Sequence, residues 1–360
     1  MISLKKTTDI TDTDGILVTD PYNLRYITGF RGGEGIALYS GEQGVLFVDS
    51  RYTEAAMRET KAAGSGFIAV EFNREHPLKD LITEKLKEDD VKTLGFEDRF
   101  MTCSEYVSWK EKLSDFILKP VEDHLTELRR IKTPEELRLL RKAEAIGDTA
   151  LAAVLPLLKV GMTELEVAAE LEYQMKKAGA EGLSFDTIAA SGIHSAMPHA
   201  IPSDKKLEEG DFLTMDFGCR YQGYCSDMTR TVVIGHANEK QKKIYNTVLE
   251  AQLKAMNELK PGMRCCDVDK IARDHIEEAG YGSFFGHGLG HSVGLYIHES
   301  PALNTWDETV LEPGMIETIE PGIYIPGFGG VRIEDMGVVT EEGYESFASS
   351  PKELIELKST

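Results

Sequence analysis

The amino-acid sequence predicts an α/β (α+β) protein built from two domains. Its 360 residues are more than one domain usually contains. Up to about residue 122, short apolar runs alternate with helical patterns, whereas beyond residue 133 pairs of long helices precede strand-rich segments. We therefore expect an N-terminal domain over 1–122, a linker over 123–132 and a larger domain over 133–360.

The N-terminal region contains five runs with the composition and length of strands: 35–40, 44–50, 67–73, 93–98 and 116–122. Residues 51–63 have a helical pattern that ends at Gly64, and glycine is common where helices terminate. Further helical patterns lie between the later strands. This alternation predicts a complete α/β domain.

The second region begins with a helix start at Thr133. Thr133 can cap the helix, Pro134 suits its first position, and Glu136 completes a capping box; a second capping box begins at Thr163. The predicted helices span 134–158, 163–178, 238–259 and 267–279, and a strand-rich segment follows each pair, over 184–234 and up to about residue 347. This order suggests two similar halves with a site at their junction.

The composition and charge exclude several classes of function. A net charge of −21 repels phosphate backbones, so we expect no nucleic-acid partner. The first ten residues lack the apolar core of a signal peptide, and the longest apolar run is far shorter than the roughly 20 residues that span a bilayer. The five cysteines form no CxxC spacing, which argues against a disulfide framework or a zinc knuckle. We therefore expect a cytoplasmic protein that does not bind membranes.

Two aspartates flank a predicted hairpin within residues 210–234. Asp216 lies in one strand, Asp227 leads into the next, and the midpoint between them falls in the turn formed by residues 220–223. This symmetry predicts that the aspartates lie directly opposite each other, with Cβ atoms about 5 Å apart. Like charges at that distance repel, so a proton or a cation is needed between them. The alternative is a pair of surface aspartates beside a turn.

The segment 285–300 is rich in glycine and histidine, and it contains three of the nine histidines of the chain. Its four glycines let the backbone approach a ligand or another chain segment closely, but they do not have the spacing of a phosphate loop. These histidines are therefore candidate ligands, although each could instead be a buried core residue.

The segment 315–339 adds two more candidate carboxylates. Pro321 holds the preceding Glu320 in an extended conformation. Arg332 and Glu334 share one face of a predicted strand, where a bare carboxylate would be costly. An ion pair between Arg332 and Glu334 is the alternative to a ligand role for Glu334.

Four carboxylates and one imidazole from these segments form a ligand set for two divalent cations. Four negative charges balance two ions of charge 2+, and an oxygen-rich set favours manganese, cobalt or iron over sulfur-bound zinc. Two such ions can hold one hydroxide between them as a nucleophile and polarise a scissile carbonyl. The sequence therefore predicts a hydrolase with two metal ions.

The motifs in these segments resemble those of the creatinase, prolidase, aminopeptidase P and methionine aminopeptidase group. They are PHA at 198–200, DFG followed by GYCSDMTRT, GHGLGHSVGLYIHE, TIEPGIY and GGVRIED, which span 198–335 in order. The N-terminal stretches DPYNLRYITGF and GVLFVDSRY resemble the N-terminal domain of prolidases and aminopeptidases P. The resemblance implies a pita-bread catalytic domain with a smaller creatinase-like α/β N-terminal domain.

The resemblance also implies a role for each candidate ligand by position. The implied metal ligands are Asp216, Asp227, His291, Glu320 and Glu334. Asp216 would bind one ion, Asp227 and Glu334 would bridge the two ions, and His291 and Glu320 would bind the other ion. Glu320 would in addition relay a proton from the bridging water.

Five pocket residues are implied in the same way: His199, His287, His298, Tyr324 and Arg332. His199 and His298 would hold the substrate and stabilise the tetrahedral intermediate. The other three would line the substrate pocket or brace the metal ions.

One position departs from the family pattern. Glu317 stands where an apolar residue is expected before the TIEP motif. In a strand it points to the face opposite Glu320. We therefore expect Glu317 to be solvated or lightly paired rather than to be a sixth ligand.

Within the group, proline-directed exopeptidases fit best. The intact ligand set disfavours creatinase, and an N-terminal domain of this size disfavours methionine aminopeptidase. Prolidase must bind the free carboxylate of an Xaa-Pro dipeptide, best with arginine, but residues 299–304 after His298 include no arginine or lysine. We therefore expect an Xaa-Pro aminopeptidase, with Xaa-Pro dipeptidase as the alternative and a metal-free interaction protein as a distant third.

The resemblance finally implies the cofactors and the assembly. The cofactors would be two divalent ions per subunit, foremost Mn²⁺, with Co²⁺, Fe²⁺ or Zn²⁺ as alternatives. The substrate would be a peptide with proline in the second position, and the assembly would be a homodimer.

Overall fold

The structure, a computed structural model, describes residues 4–41 and 43–357. The chain divides into two compact units, Met1–Arg129 and Arg130–Thr360. The ends of the expected domains, residues 1–3 and 358–360, lie outside the described residues, and the expected boundaries at 122 and 133 stay a prediction. Both units contain helices and strands, which confirms the α/β (α+β) class. Among the described residues, no helix is both long and apolar enough to cross a bilayer.

The N-terminal unit contains a six-stranded mixed sheet. Its helices are α1 (Leu4–Thr11), α2 (Pro21–Thr28), α3 (Thr53–Ala63), α4 (Leu78–Glu88), α5 (Cys103–Lys112) and α6 (His124–Glu127). Its strands are β1 (Gly15–Val18), β2 (Ile36–Ser40), β3 (Gln43–Val48), β4 (Phe67–Glu71), β5 (Thr93–Phe96) and β6 (Ile117–Pro120). The strand order is β4-β3-β2-β1-β5-β6, in which β1, β2 and β3 are antiparallel neighbours and the other neighbours are parallel.

This sheet carries a hydrophobic core on each face. In β1, Ile16 belongs to one core and the next residue, Leu17, to the other, because successive side chains of a strand point to opposite faces. The five strands and the helix predicted from the sequence are confirmed, with differences of a few residues at their ends. Strand β1 is not among the predicted strands, because its run of four residues is too short to stand out.

The C-terminal unit contains four long helices and many short strands. Its α-helices are α7 (Pro134–Val154), α8 (Glu164–Lys177), α9 (Glu239–Glu258) and α10 (Cys265–Glu278), and its 3₁₀ helices are Leu155–Leu157, Gly192–Ala196 and Gly282–Phe284. The strands of its first half are β7 (Gly182–Leu183), β8 (Ile188–Ser191), β9 (Phe212–Phe217), β10 (Cys219–Tyr221), β11 (Tyr224–Cys225) and β12 (Met228–Ile234). The later strands are β13 (Gly290–Ser292), β14 (Glu299–Leu303), β15 (Ile316–Ile319), β16 (Gly322–Ile325), β17 (Gly329–Arg332), β18 (Asp335–Val339), β19 (Tyr344–Ser346) and β20 (Glu356–Leu357).

Each half of this unit has its own core. Helices α7 and α8 begin with the two predicted capping boxes, and their apolar side chains pack against the sheet β8-β9-β12-β20. Helices α9 and α10 pack against side chains of the later strands, with Val248 and Val268 in one core with Ile319, Ile323 and Val331. The predicted order, a helix pair followed by strands and then again, is confirmed.

The hairpin that carries Asp216 and Asp227 has a different register from the predicted one. Strand β9 pairs antiparallel with β12 so that Asp216 lies opposite Thr229. The hairpin closes at Gln222 and Gly223, whose φ angles of 46° and 83° are both left-handed, as in the two-residue turns that suit hairpins. The predicted direct opposition of the aspartates is therefore wrong. Asp227 lies two residues before Thr229, which makes it a diagonal neighbour of Asp216.

Glu317 is fully buried, so the prediction that it is solvated or lightly paired is wrong. Strand β15 is covered on both faces, which the short polar run around Glu317 does not reveal. Neither carboxyl oxygen has a hydrogen-bond partner among the described residues. Burial raises the pKa of Glu317 well above its usual value, although the charge of Lys132 acts in the opposite direction.

We expect the substitution Glu317→Met to stabilise the protein, because it removes a buried carboxyl group that has no hydrogen-bond partner. The free energy of unfolding should rise by about 1–3 kcal/mol near neutral pH. Because burial raises the pKa of Glu317, the folded chain keeps a proton that the unfolded chain loses, and this group lowers stability progressively as the pH rises above about 4.5. Guanidinium unfolding of chelator-treated protein at a series of pH values measures the gain.

The exposed Glu258 provides the control, and Glu258→Met should change the unfolding free energy by no more than about 0.5 kcal/mol. A gain for Glu317→Met that is absent, or that does not grow as the pH rises, contradicts the assignment of Glu317 as a buried and unpartnered acid.

Candidate metal centre

The five expected metal ligands lie at strand ends and breaks in the C-terminal unit. Asp216 is near the end of β9, and Asp227 directly precedes β12. His291 lies in β13, Glu320 follows β15, and Glu334 lies in the break between β17 and β18. Glu334 is therefore not inside a continuous strand, contrary to the prediction for this segment. The first half supplies two of the five side chains, and the second half supplies three.

Three of these side chains come very close to one another. One ligand atom from each of Asp227, His291 and Glu334 lies within 4.8 Å of the others. His291 Nε2 is 3.5 Å from Asp227 Oδ2 and 3.6 Å from Glu320 Oε1. Two ligand atoms that each lie about 2.0–2.2 Å from one metal ion are about 3–3.5 Å apart, so these contacts have the spacing of a metal site.

The imidazole of His291 is in the form that a metal ion requires. Its Nδ1 is 3.1 Å from the carbonyl oxygen of Ser292, so Nδ1–H donates to that oxygen and the lone pair of Nε2 faces the carboxylates. Burial and the neighbouring His298 lower the pKa of His291 to about 4, which keeps the ring neutral at neutral pH. The backbone N–H of His291 donates to Thr318 Oγ1 at 3.0 Å, and this bond fixes the strand against β15.

The carboxylates of the cluster repel one another. Burial, followed by the charges of neighbouring carboxylates, raises the pKa of Asp227 and of Glu334 well above the usual values. Burial also raises the pKa of Glu320 to about 8, although Arg332 acts against this rise. Oδ1 of Asp216 is buried and has no hydrogen-bond partner among the described residues. This donor set, costly for the protein alone, fits divalent cations that prefer oxygen and imidazole ligands.

Arg332 connects the carboxylate cluster to two aromatic rings. Its Nη2 donates to Asp216 Oδ2 at 2.6 Å, and its Nε donates to Thr229 Oγ1 at 3.0 Å. Its Nη1 donates to Tyr324 OH at 2.9 Å, and that hydroxyl is 2.9 Å from His287 Nε2. Arg332 is only 3% exposed, and hydrogen bonds are stronger where water is excluded.

Glu334 is bound by the first half of the unit rather than by Arg332. Thr229 Oγ1 donates to Glu334 Oε2 at 2.6 Å, and the backbone N–H of Glu334 donates to the carbonyl of Thr229 at 3.1 Å. The salt bridge of Arg332 is with Asp216, so the alternative of an Arg332–Glu334 ion pair is wrong. Thr229 is not predictable from the sequence motifs, because its place opposite Asp216 follows only from the register of the hairpin.

A buried ion network behind the cluster is also absent from the sequence analysis. Arg230 is 2% exposed, and its Nη2 donates to Asp335 Oδ1 at 2.8 Å. Its Nη1 donates to the carbonyls of Thr229 and Glu334, and Lys352 Nζ donates to Asp335 Oδ2 at 2.7 Å. The network joins the backbone segments on which Asp227 and Glu334 lie. An arginine inside the apolar run of β12 is the signal that could have indicated it.

A cavity of about 560 Å³ adjoins the carboxylates. All five expected metal ligands line it, as do four of the five expected pocket residues: His199, His287, His298 and Arg332. Tyr324 contacts His287 and Arg332 from behind and does not line the cavity. The site therefore lies between the two halves, where the sequence analysis expects it.

Two further histidines that line the cavity, His287 and His298, have lowered pKa values. His298 packs against His291, with ring centroids 4.6 Å apart at a steep angle. Burial, followed by the neighbouring His199, lowers the pKa of His298, and burial lowers the pKa of His287 to about 4. A neutral imidazole offers one N–H donor and one acceptor, which suits binding of peptide groups.

Comparisons with known proteins agree with this description. The profile of metallopeptidase family M24 matches residues 138–341, and that of the creatinase/prolidase N-terminal domain matches residues 3–131. The chain is 43% identical over 353 residues to an Xaa-Pro dipeptidase of Pyrococcus furiosus, with 98% of each chain covered.

Two solved structures are similar over nearly the whole chain. Xaa-Pro dipeptidase from Bacillus anthracis has a TM-score of 0.94 and 45% identity, with 98% of both chains covered. X-Pro aminopeptidase from Thermotoga maritima has a TM-score of 0.90 and 35% identity, with 97% of this chain and 99% of that chain covered.

These similarities confirm the expected pita-bread catalytic domain and the creatinase-like N-terminal domain. They also confirm that the chain is a peptidase of a family that uses divalent metal ions. The profile match covers the segment in which the carboxylates and the imidazole meet. The chain therefore belongs to metallopeptidase family M24.

Proposed function

We propose that this peptidase is an Xaa-Pro dipeptidase, which hydrolyses the bond before proline in a dipeptide. The observation that carries the proposal is similarity over the whole length, at 43% and 45% identity, to two proteins named Xaa-Pro dipeptidase. A cavity of about 560 Å³ beside the carboxylate cluster is also within the range of about 300–1,000 Å³ that is typical of small-molecule sites. The comparisons thus favour the sequence-based alternative over Xaa-Pro aminopeptidase.

In this proposal, two divalent ions are held by the five residues implied by the family motifs: Asp216, Asp227, His291, Glu320 and Glu334. The close approach of Asp227, His291 and Glu334 and the unpartnered oxygen of Asp216 support this ligand set. When bound, the ions would lower the pKa of water and polarise the scissile carbonyl. Manganese is our first choice, because the ligands are mainly carboxylates.

The other cavity residues would bind and orient the dipeptide. His199 and His298 are the proposed substrate-holding groups, because both line the cavity as imidazoles that can hydrogen-bond a peptide group. His298 lies against the ligand His291, so a substrate bound to it is next to the carboxylate cluster. By its position in the family motif, Glu320 is the proposed proton relay.

Arg332 is the proposed partner of the carboxylate of the dipeptide. Its guanidinium is paired with Asp216, whose Oδ2 lies 2.6 Å from Nη2 of Arg332. With two divalent ions and one hydroxide bound, the ions would balance the four carboxylates, and Arg332 would balance the hydroxide. Arginine is a preferred partner of a carboxylate, and Arg332 lines the cavity in which the dipeptide would bind.

The second candidate is an Xaa-Pro aminopeptidase, which acts on longer peptides. Among the described residues that line the cavity, Arg332 is the one arginine or lysine, and it already donates to three side chains. A longer peptide does not need a cation at this point. The similarity to the X-Pro aminopeptidase of Thermotoga maritima also supports this candidate.

The proposal extends the family resemblance to the assembly and location as well. We expect a homodimer, and analytical ultracentrifugation of the full chain tests this expectation directly. A cytoplasmic location stays a prediction.

We expect the free carboxylate of the substrate to matter for turnover. With Mn²⁺ present, kcat/KM for Leu-Pro should exceed that for Leu-Pro amide by about tenfold or more, because the amide loses a charged hydrogen-bond partner. Steady-state release of leucine measures both, and Leu-Ala controls for the requirement for proline. Equal or faster cleavage of the amide, or of Leu-Pro-Ala, contradicts the dipeptidase proposal and supports the aminopeptidase.

We expect removal of the metal ions and substitution of a proposed metal ligand both to reduce peptide cleavage. Chelation should abolish cleavage and added Mn²⁺ should restore it, whereas Asp227→Asn should lose at least about 100-fold in kcat/KM, more than typical changes in groups that merely orient a ligand. Elemental analysis should find less metal bound to Asp227→Asn than to the wild-type protein.

The matched control is Asp274→Asn, which removes a carboxylate from a surface pair with Lys270 on α10. This variant should keep the metal content and the activity of the wild-type protein. Full activity after chelation, or an unchanged metal content in Asp227→Asn, is incompatible with the proposed ligand set.

A further inference from the structure

One buried carboxylate lies outside the metal cluster and has an unusual number of donors. Glu164, the first residue of α8, is fully buried. Its Oε1 accepts from the backbone N–H and the hydroxyl of Ser191 at 2.8 and 2.9 Å. Its Oε2 accepts from the hydroxyl and the backbone N–H of Ser203 at 2.6 and 3.1 Å. His194 Nδ1 is 3.1 Å from both oxygens.

These donors lie at the two ends of one loop. Ser191 is the last residue of β8, and Ser203 lies twelve residues further along the chain. The backbone repeats the same connection, because Leu165 N–H donates to the carbonyl of Ser203 at 3.1 Å. Helix α8 therefore joins both ends of the loop 192–202 through a single side chain and the adjacent backbone.

His199 lies in the middle of this loop. His199 is exposed and lines the cavity, and its side chain makes no hydrogen bond among the described residues. The place of its imidazole is therefore set by the loop backbone, not by direct partners. Two further contacts hold that backbone: Gly330 N–H donates to Ser195 Oγ at 2.8 Å, and Arg332 Nη1 donates to the carbonyl of Pro198 at 3.3 Å.

From this arrangement we infer that Glu164 is a positioning residue for His199. It does not touch the cavity; it fixes both ends of the loop so that the His199 imidazole meets the substrate at the correct place. The inference rests on the proposed function, in which His199 holds the substrate.

The chemistry of the site explains why the position holds a carboxylate. A carboxylate has about four acceptor sites and no donor, which matches a set made entirely of N–H and O–H donors. The first turn of a helix also favours a negative charge. Burial opposes ionisation, but the hydrogen bonds from Ser203, Ser191 and His194 outweigh it and lower the pKa of Glu164. Glutamine would turn two hydrogens of its amide towards groups that themselves donate.

The test is a double-mutant cycle on the full chain with Mn²⁺. Glu164→Gln should lower kcat/KM by about 10- to 100-fold, the loss expected from a displaced binding group. In the background of His199→Ala, the same substitution should cost less than about threefold, because the group that Glu164 positions is gone. Glu164→Asp, which keeps the charge, should recover part of the activity. Equal losses in both backgrounds overturn the inference.

Hydrogen exchange gives a readout that does not depend on turnover. In Glu164→Gln, the amides of residues 192–202 should exchange faster, while the metal content stays that of the wild-type protein. Unchanged exchange in this loop also overturns the inference. If Glu164→Gln does not fold, Ser203→Ala removes one donor and should show the same pattern with a smaller loss.

The matched control is Glu172→Gln, which lies two turns further along the same helix, about 12 Å from Glu164. It should leave activity and exchange within about twofold of the wild-type values. The same measurements distinguish failure of the proposed function from failure of the positioning role. A wild-type protein that does not cleave Xaa-Pro peptides contradicts the function, whereas cleavage that is insensitive to Glu164→Gln contradicts only the positioning role.

Discussion

The mutual repulsion of buried carboxylates is the constraint on which the rest of this structure depends. Asp227 is 4% exposed and Glu334 is 1% exposed, and burial, followed by the charges of neighbouring carboxylates, raises the pKa of both. The protein neutralises part of this charge itself, since Arg332 pairs with Asp216 and Thr229 donates to Glu334. The remaining negative charge distinguishes the cluster from an ordinary polar core. Removing unpaired charges from water is costly unless cations bind to them.

The fold brings like charges together because apolar packing in other parts of the unit offsets their repulsion. Each half of the C-terminal unit has its own apolar core, and burial of those side chains offsets the local repulsion between carboxylates from the two halves. The network of Arg230, Asp335 and Lys352 then joins the segments that carry Asp227 and Glu334. Strand ends and buried ion pairs hold the proposed ligands in place, and such preorganisation is what a catalytic site needs.

The sequence predicts the helices and most strands, because capping boxes and strand alternation are local patterns. It also predicts the candidate ligands, because they lie within the sequence motifs. It fails where the answer depends on segments far apart in the chain. A two-residue turn at Gln222 and Gly223 shifts the register of the hairpin, so that Thr229, not Asp227, opposes Asp216. Glu317 looks solvated because nothing near it in the sequence shows that β15 is covered on both faces. The partners of Glu164 are equally invisible, because Ser191 and Ser203 meet it only after the chain folds.

The proposed metal ligands and the proposed substrate-holding histidine, His199, need different kinds of structural support. The proposed ligands must keep their spacing within about 0.2 Å, and they lie at strand ends and breaks. The backbone N–H of His291, for example, donates to the hydroxyl of Thr318. A group that receives and releases a substrate needs access to solvent, and His199 has it on a loop with an exposed middle. Such a loop keeps its position only if its ends are fixed. A buried acceptor such as Glu164, which binds both ends at once, meets that need without entering the cavity.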